Sequence, residues 1–248
     1  MTGLIFRNLI RTKEAILLFC FSLFPVLLPI VNLFNTNFMQ LNAPAGSMDF
    51  LTFFGAVMKV QYDIILPMII LVYLAITVFY TEANTGTLFL YKDINRTKVF
   101  LSKVAALSAV YLIYVVLTFV FSFATYYLYL IHLPYTSGRF LPASFADLSM
   151  VFDIVGTLFA CVLCILVAAA LSQHCGIGVT MLVSILYVLV SQVAPLLGTL
   201  CYFLPNAYGT VAEHLGNGPA LIGSLVLFLF YGIMLIVYGN HAYKTLEY

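Results

Sequence analysis

Charge is what this sequence has least of. Only 8% of its 248 residues are Asp, Glu, Lys or Arg, against 64% hydrophobic residues, more apolar side chain than a soluble core of this size can hide. A net charge of +1, with no basic stripe interleaved with aromatics, gives no footing for a nucleic-acid partner. Tryptophan is missing altogether, so an aromatic belt at a membrane interface must be built from the 17 tyrosines and 22 phenylalanines. There are 5 cysteines, an odd number and mostly in or beside apolar runs, so no disulfide framework is expected. Cys161 and Cys164 have redox spacing, but no His or charge lies near to lower a thiol pKa. They read as small packing residues.

Several chemistries lack their motifs. The chain has no G-x-x-x-x-G-K-[ST] phosphate loop, no H-E-x-x-H and no G-x-S-x-G. His132, His174, His214 and His241 are scattered at span ends and loops, so no metal site is expected. No apolar run carries a central charge, which disfavours a proton- or sodium-coupled carrier. Asn95-Arg96-Thr97 matches a glycosylation sequon but falls on the cytoplasmic side, where it is coincidental. The chain is expected to be neither an enzyme nor a cofactor binder.

What is present is a set of long apolar runs. Stretches of about 20 such residues cross a bilayer as helices, and six are read here: 15–34, 63–80, 104–131, 152–171, 177–197 and 219–239. The fold class is an all-α integral membrane protein, one transmembrane domain over 1–248. The runs do not alternate, which excludes a β-barrel. Pro25 and Pro29 should kink the first span. Tyr126, Tyr127 and Tyr129, at the end of the third, suit an interfacial belt. Gly156 with Ala160, Ala168 to Ala170, Gly223 and Gly232 let helices approach closely.

Arg7, Arg11, Lys13, Lys92, Arg96, Lys98, Lys103 and Lys244 fall on one side of these spans, and only Lys59 and Arg139 on the other. Both termini are therefore expected in the cytoplasm. The opening MTGLIFRNLIRT interleaves apolar and basic residues at helical spacing, suiting a helix lying in the interface. LTFFGAVMKVQYD is apolar enough to lie on the outer surface before the second span. The segment PLLGTLCYFLPNAYGTVAEHLGNG mixes apolar residues with Pro and Gly, and irregular backbone at membrane depth survives only when buried or facing a cavity. A re-entrant hairpin is expected there, with Leu204, Pro205, Tyr208 and Gly209 closing the outer end of a pathway. SQHCG is a tight cytoplasmic turn.

The polar island TEANTGTLFLYKDINRTKVFLSKV, Thr81 to Val104, cannot sit in hydrocarbon and must project into water. Asn84 or Thr81 can cap a short helix there, with Glu82 near its positive end. Lys92 and Lys98 can meet carboxylates on a soluble partner. The stretch Glu82-Ala-Asn-Thr-Gly86-Thr87-Leu88, followed by Asp93-Ile94-Asn95-Arg96 and closing with Lys103, resembles the cytoplasmic connection of type 2 ABC exporter permeases. The resemblance extends to the layout of the whole chain. It implies that 82–103 couples to a separate ABC ATPase subunit through Glu82, Gly86, Thr87, Asp93, Arg96 and Lys103, with Gln173 and His174 as a smaller second contact. ATP and Mg would then belong to the partner, and the permease would pair with a second copy or a similar permease within membrane lipid. The implied cargo is a hydrophobic peptide, antibiotic or lipid-like molecule. An ATP-independent carrier and a membrane-embedded enzyme or scaffold, the latter drawing on His132, Asp153, Glu213 or His214, are the alternatives.

Overall fold

The computed structural model describes residues 2–33, 44, 46–81, 95–142 and 148–245. Helix α1 (Thr2–Ile10) leads into α2 (Lys13–Phe21) and α3 (Phe24–Leu33). Then come α4 (Phe50–Asp63) and α5 (Leu66–Ile76), the latter continued by a π-helical turn, Thr77–Thr81. After the polar island run α6 (Arg96–Leu128), α7 (Ser149–Leu171), α8 (Ile177–Val193), α9 (Tyr208–Leu215) and α10 (Asn217–Thr245). Short 3-10 turns at Gly198–Tyr202 and Pro205–Ala207 fill the gap before α9. Among the described residues the only β pairing is one isolated bridge, Met48 to Thr136.

The sequence sets the helix starts by side-chain capping. Thr12 accepts from the Ala15 amide at 3.3 Å, Asp49 from Thr52 at 2.9 Å and Asn95 from Thr97 at 3.0 Å, each satisfying an orphan donor of the first turn. Four segments, Arg96–His132, Ser149–Leu171, Ile177–Leu196 and Asn217–Thr245, are each long and apolar enough to cross a membrane. Two bent pairs, Lys13–Phe21 with Phe24–Val31 (47°) and Phe50–Asp63 with Leu66–Tyr80 (64°), bring the number to six if each is one span. The described residues are thus all-helical in class, with four to six helices of membrane-spanning character.

The largest core joins α2, α5, α6 and α7, where Leu18, Leu71, Leu107, Tyr111, Cys164 and Ile165 are buried. Leu9 of α1 and Tyr243 of α10 belong to it, so both ends of the chain meet at one end of the bundle, called here the termini end. At the far end α4 packs beside α6 and α7. Phe50 meets Phe119 edge-on at 5.2 Å and stacks on Phe140 at 5.1 Å. This corrects the belt reading for Tyr126, which is fully buried and donates to the Met48 carbonyl at 2.9 Å. Helices α8 and α10 keep a broad apolar face outward, with Leu182, Leu186, Ile222, Phe230 and Ile233 exposed as lipid contact demands.

Candidate functional site

Three polar constructions interrupt this apolar bundle, at its middle, at its termini end and at its far end.

The middle one joins the two bends. Pro25 has no N–H, so the carbonyl of Phe21, four residues earlier, loses its helical donor, and α2 gives way to α3 at Ser22 and Leu23. Gln61, on the last turn of α4, supplies the missing donor: its Nε2 lies 3.0 Å from Phe21 O. Its Oε1 accepts from Tyr114 Oη at 2.9 Å and more distantly from Thr118 Oγ1 at 3.5 Å. The α4 to α5 bend is made by Ile65, whose φ of +65° is a left-handed conformation that a β-branched residue adopts only under strain. Pro67 follows in the first turn of α5, and Gln192 of α8 donates to the Tyr62 carbonyl at 2.9 Å. Between the bends lies a cavity of about 20 Å³ bounded by Leu18, Met58, Gln61, Tyr62, Tyr111 and Cys161, among others. That is room for one water molecule.

At the termini end the central residue is Lys103. The resemblance implies a partner contact for it, yet its side chain is fully buried. Its Nζ donates to Val78 O at 3.2 Å, a carbonyl at the start of the π-helical turn, and to Tyr243 Oη at 3.3 Å. It also sits 5.1 Å from the Phe79 ring centroid and 5.2 Å from that of Tyr243. Burying an ammonium costs several kcal/mol, which such contacts must offset. Phe100 completes the cluster, 5.6 Å from Phe79 and 5.9 Å from Tyr243. Arg96 Nη1 donates to Lys244 O at 2.6 Å, one of the orphan carbonyls ending α10. Lys103 is therefore a clamp inside the bundle, not a group offered to solvent.

The other coupling residues divide. Glu82, Gly86, Thr87 and Asp93 lie outside the described residues. Gln173 is buried and donates to Ala169 O at 2.9 Å, so it is turned into the bundle, while His174 beside it is exposed.

At the far end Leu204, Pro205, Tyr208 and Gly209 come together in one packed unit with Phe152, Cys201, Val211 and Ala220. Tyr208 Oη donates to Tyr202 O at 3.2 Å. Asn206 lies against Gly156 of α7, where an added Cβ would come within 3.1 Å of its Cα. Beside this unit Lys59 and Asp153 form an ion pair at 3.2 Å between α4 and α7. A polar recess of about 590 Å³, lined by Ser47, Asp49, Thr136, Ser137 and Arg139, opens nearby. The Asp49 carboxylate is already engaged by the Thr52 amide and hydroxyl, so the recess presents hydroxyls beside the Arg139 guanidinium. Among the described residues no group of three His, Cys, Asp or Glu is placed to hold a metal.

Sequence reasoning missed Gln61, Gln192 and Tyr243. The signal for Gln61 was the unmet carbonyl that Pro25 creates, but nothing local says which distant amide meets it. No family model, curated protein or solved structure matches the chain.

Proposed function

We propose that this chain is the membrane permease subunit of an ATP-driven exporter, with hydrolysis on a separate ATPase subunit that docks against the polar segment 82–94. The observation that carries the reading is the clamp at Lys103. It pins the residues on both sides of that segment, Val78 before it and the first turns of α6 after it, to each other and to α10. A polar loop that merely returns the chain to the membrane needs no such anchorage; one that receives a mechanical load does. The packing of amphipathic α1 against the start of α6, with Thr2 Oγ1 bonded to Ser102 Oγ at 3.1 Å, adds a second brace there.

In this reading the termini end is cytoplasmic, the bent pairs are the first two of six spans, and 197–216 is a re-entrant unit closing the outer end of a path between two permease copies. The cargo is a hydrophobic peptide, antibiotic or lipid-like molecule. Discontinuous helices joined by a buried polar layer also favour a second reading, an ATP-independent carrier with its site near Gln61.

The test is Gly86→Pro, which alters backbone geometry where a short helix must fit a groove. The variant should reach the membrane and dimerise, but lose co-purification with the ATPase and ATP-driven transport. Lys92→Ala should be mild, because exposed ion pairs are worth about 0–1 kcal/mol. Retention of both properties by Gly86→Pro would sink the exporter reading. Transport by the chain alone in liposomes would establish the carrier.

A further inference from the structure

The clamp at one end and the packed unit at the other are keyed to the same helix. At Gly239 of α10 the ring of Phe100 lies so close that a Cβ would stand 2.7 Å from its Cζ. At Gly223 the ring of Tyr208 does the same, 2.6 Å from Cε1. These two sockets are about 24 Å apart along the axis at 1.5 Å per residue. Tyr243, one turn beyond Gly239, holds Lys103. Among the described residues one stripe of α10 is left exposed, formed by Ile222, Val226, Phe230, Ile233 and Val237. The helix is therefore gripped near both ends, at sockets about 160° apart around its axis, while the exposed stripe faces a fluid solvent that offers little resistance.

We infer that α10 transmits displacement between the Lys103 clamp and the 198–215 unit, and that Lys103 is the positioning residue fastening α10 to both ends of segment 82–94. The inference rests on the proposed function for the source of the load, though its geometry does not. A push on segment 82–94 moves the π-helical turn and the start of α6. Lys103 and Phe100 pass that movement to Tyr243 and Gly239, and α10 delivers it at Gly223 to Tyr208. Tyr208 is bonded to Tyr202 within the unit assigned to the outer closure.

The test is hydrogen exchange on the full chain in lipid nanodiscs, where no partner is needed. Lys103→Met keeps the length of the side chain and removes its charge. It should quicken exchange about three- to tenfold across 198–215 as well as at 77–81 and 239–245. Tyr243→Phe should act in the same direction and more weakly. A merely structural residue would disturb only its own end. Should Lys103→Met fail to fold, Gly223→Ala reads the link from the other side and should quicken exchange at 96–103 and 239–245. Changes confined to the substituted end in whichever of these two variants folds overturn the inference. Its failure is separable from that of the exporter reading: local exchange effects in a chain that still binds an ATPase and transports condemn the rod alone, whereas a wild-type chain that binds no ATPase condemns the exporter and leaves the rod standing.

Discussion

The side-chain amide of Gln61 stands 3.0 Å from the Phe21 carbonyl and takes the place of the N–H that Pro25 lacks. One residue on α4 thereby stabilises the break between α2 and α3, and it lies three residues before the next break, at Ile64 and Ile65. The two bends are neighbours tied by one hydrogen bond, so neither can straighten without disturbing the other.

Gln61→Leu should lower stability by roughly 1–3 kcal/mol, because it leaves Phe21 O without its side-chain donor and Tyr114 without its acceptor. Pro25→Ala restores a main-chain donor, so the same substitution in that background should cost at least about 1 kcal/mol less. Thermal unfolding followed by size-exclusion chromatography in detergent measures the cycle; additive effects would mean that the proline and the glutamine are unrelated.

Topology can be checked with exposed residues at opposite ends. On a cysteine-free background, His132→Cys should react with an impermeant maleimide added to intact cells, and His174→Cys should react only after lysis. The opposite pattern would invert the arrangement derived from the basic residues.

Two glycines of the far end should respond differently to one added methyl group. At Gly156 it meets the Asn206 backbone at 3.1–3.2 Å, which gives way only if the turn shifts, so Gly156→Ala should destabilise by about 1–3 kcal/mol. At Gly209 the nearest atom is Phe152 Cβ at 3.5 Å, an ordinary contact, so Gly209→Ala should be tolerated and only a bulky residue should impair transport. Equal sensitivity to proteolysis in the two alanine variants would contradict this packing.

The Lys59 and Asp153 pair spans α4 and α7 with the lysine 57% exposed. Lys59→Ala should therefore change stability by only about 0–1 kcal/mol in thermal unfolding, and the change should shrink further in high salt. A large, salt-insensitive loss would show the pair to be more enclosed than its surface suggests.

Helix existence and approximate extent were legible in the sequence because apolar runs of span length leave the backbone no other satisfied form. The break near Pro25 was legible too, for the same reason in reverse. What did not show was pairing over distance. Tyr126 reads as a belt residue until α4 folds back and encloses it, and Lys103 reads as a solvated charge until α5, α6 and α10 converge on it. Both are set by tertiary packing, which leaves no local pattern. Gly223 reads as a generic packing residue, and only the Tyr208 ring seated against it gives it a separate meaning.

The segment Arg96–His132 holds 37 residues, a rod of roughly 55 Å against a hydrocarbon layer about 30 Å thick. At the far end of this rod α4 and the rings of Phe50, Phe54, Phe119 and Tyr126 pack against it as one aromatic cluster. A protein of 27.6 kDa buried in a detergent belt offers electron microscopy almost nothing to align on. Whatever length of the rod stands clear of the hydrocarbon layer is the natural epitope for a nanobody that would make it visible.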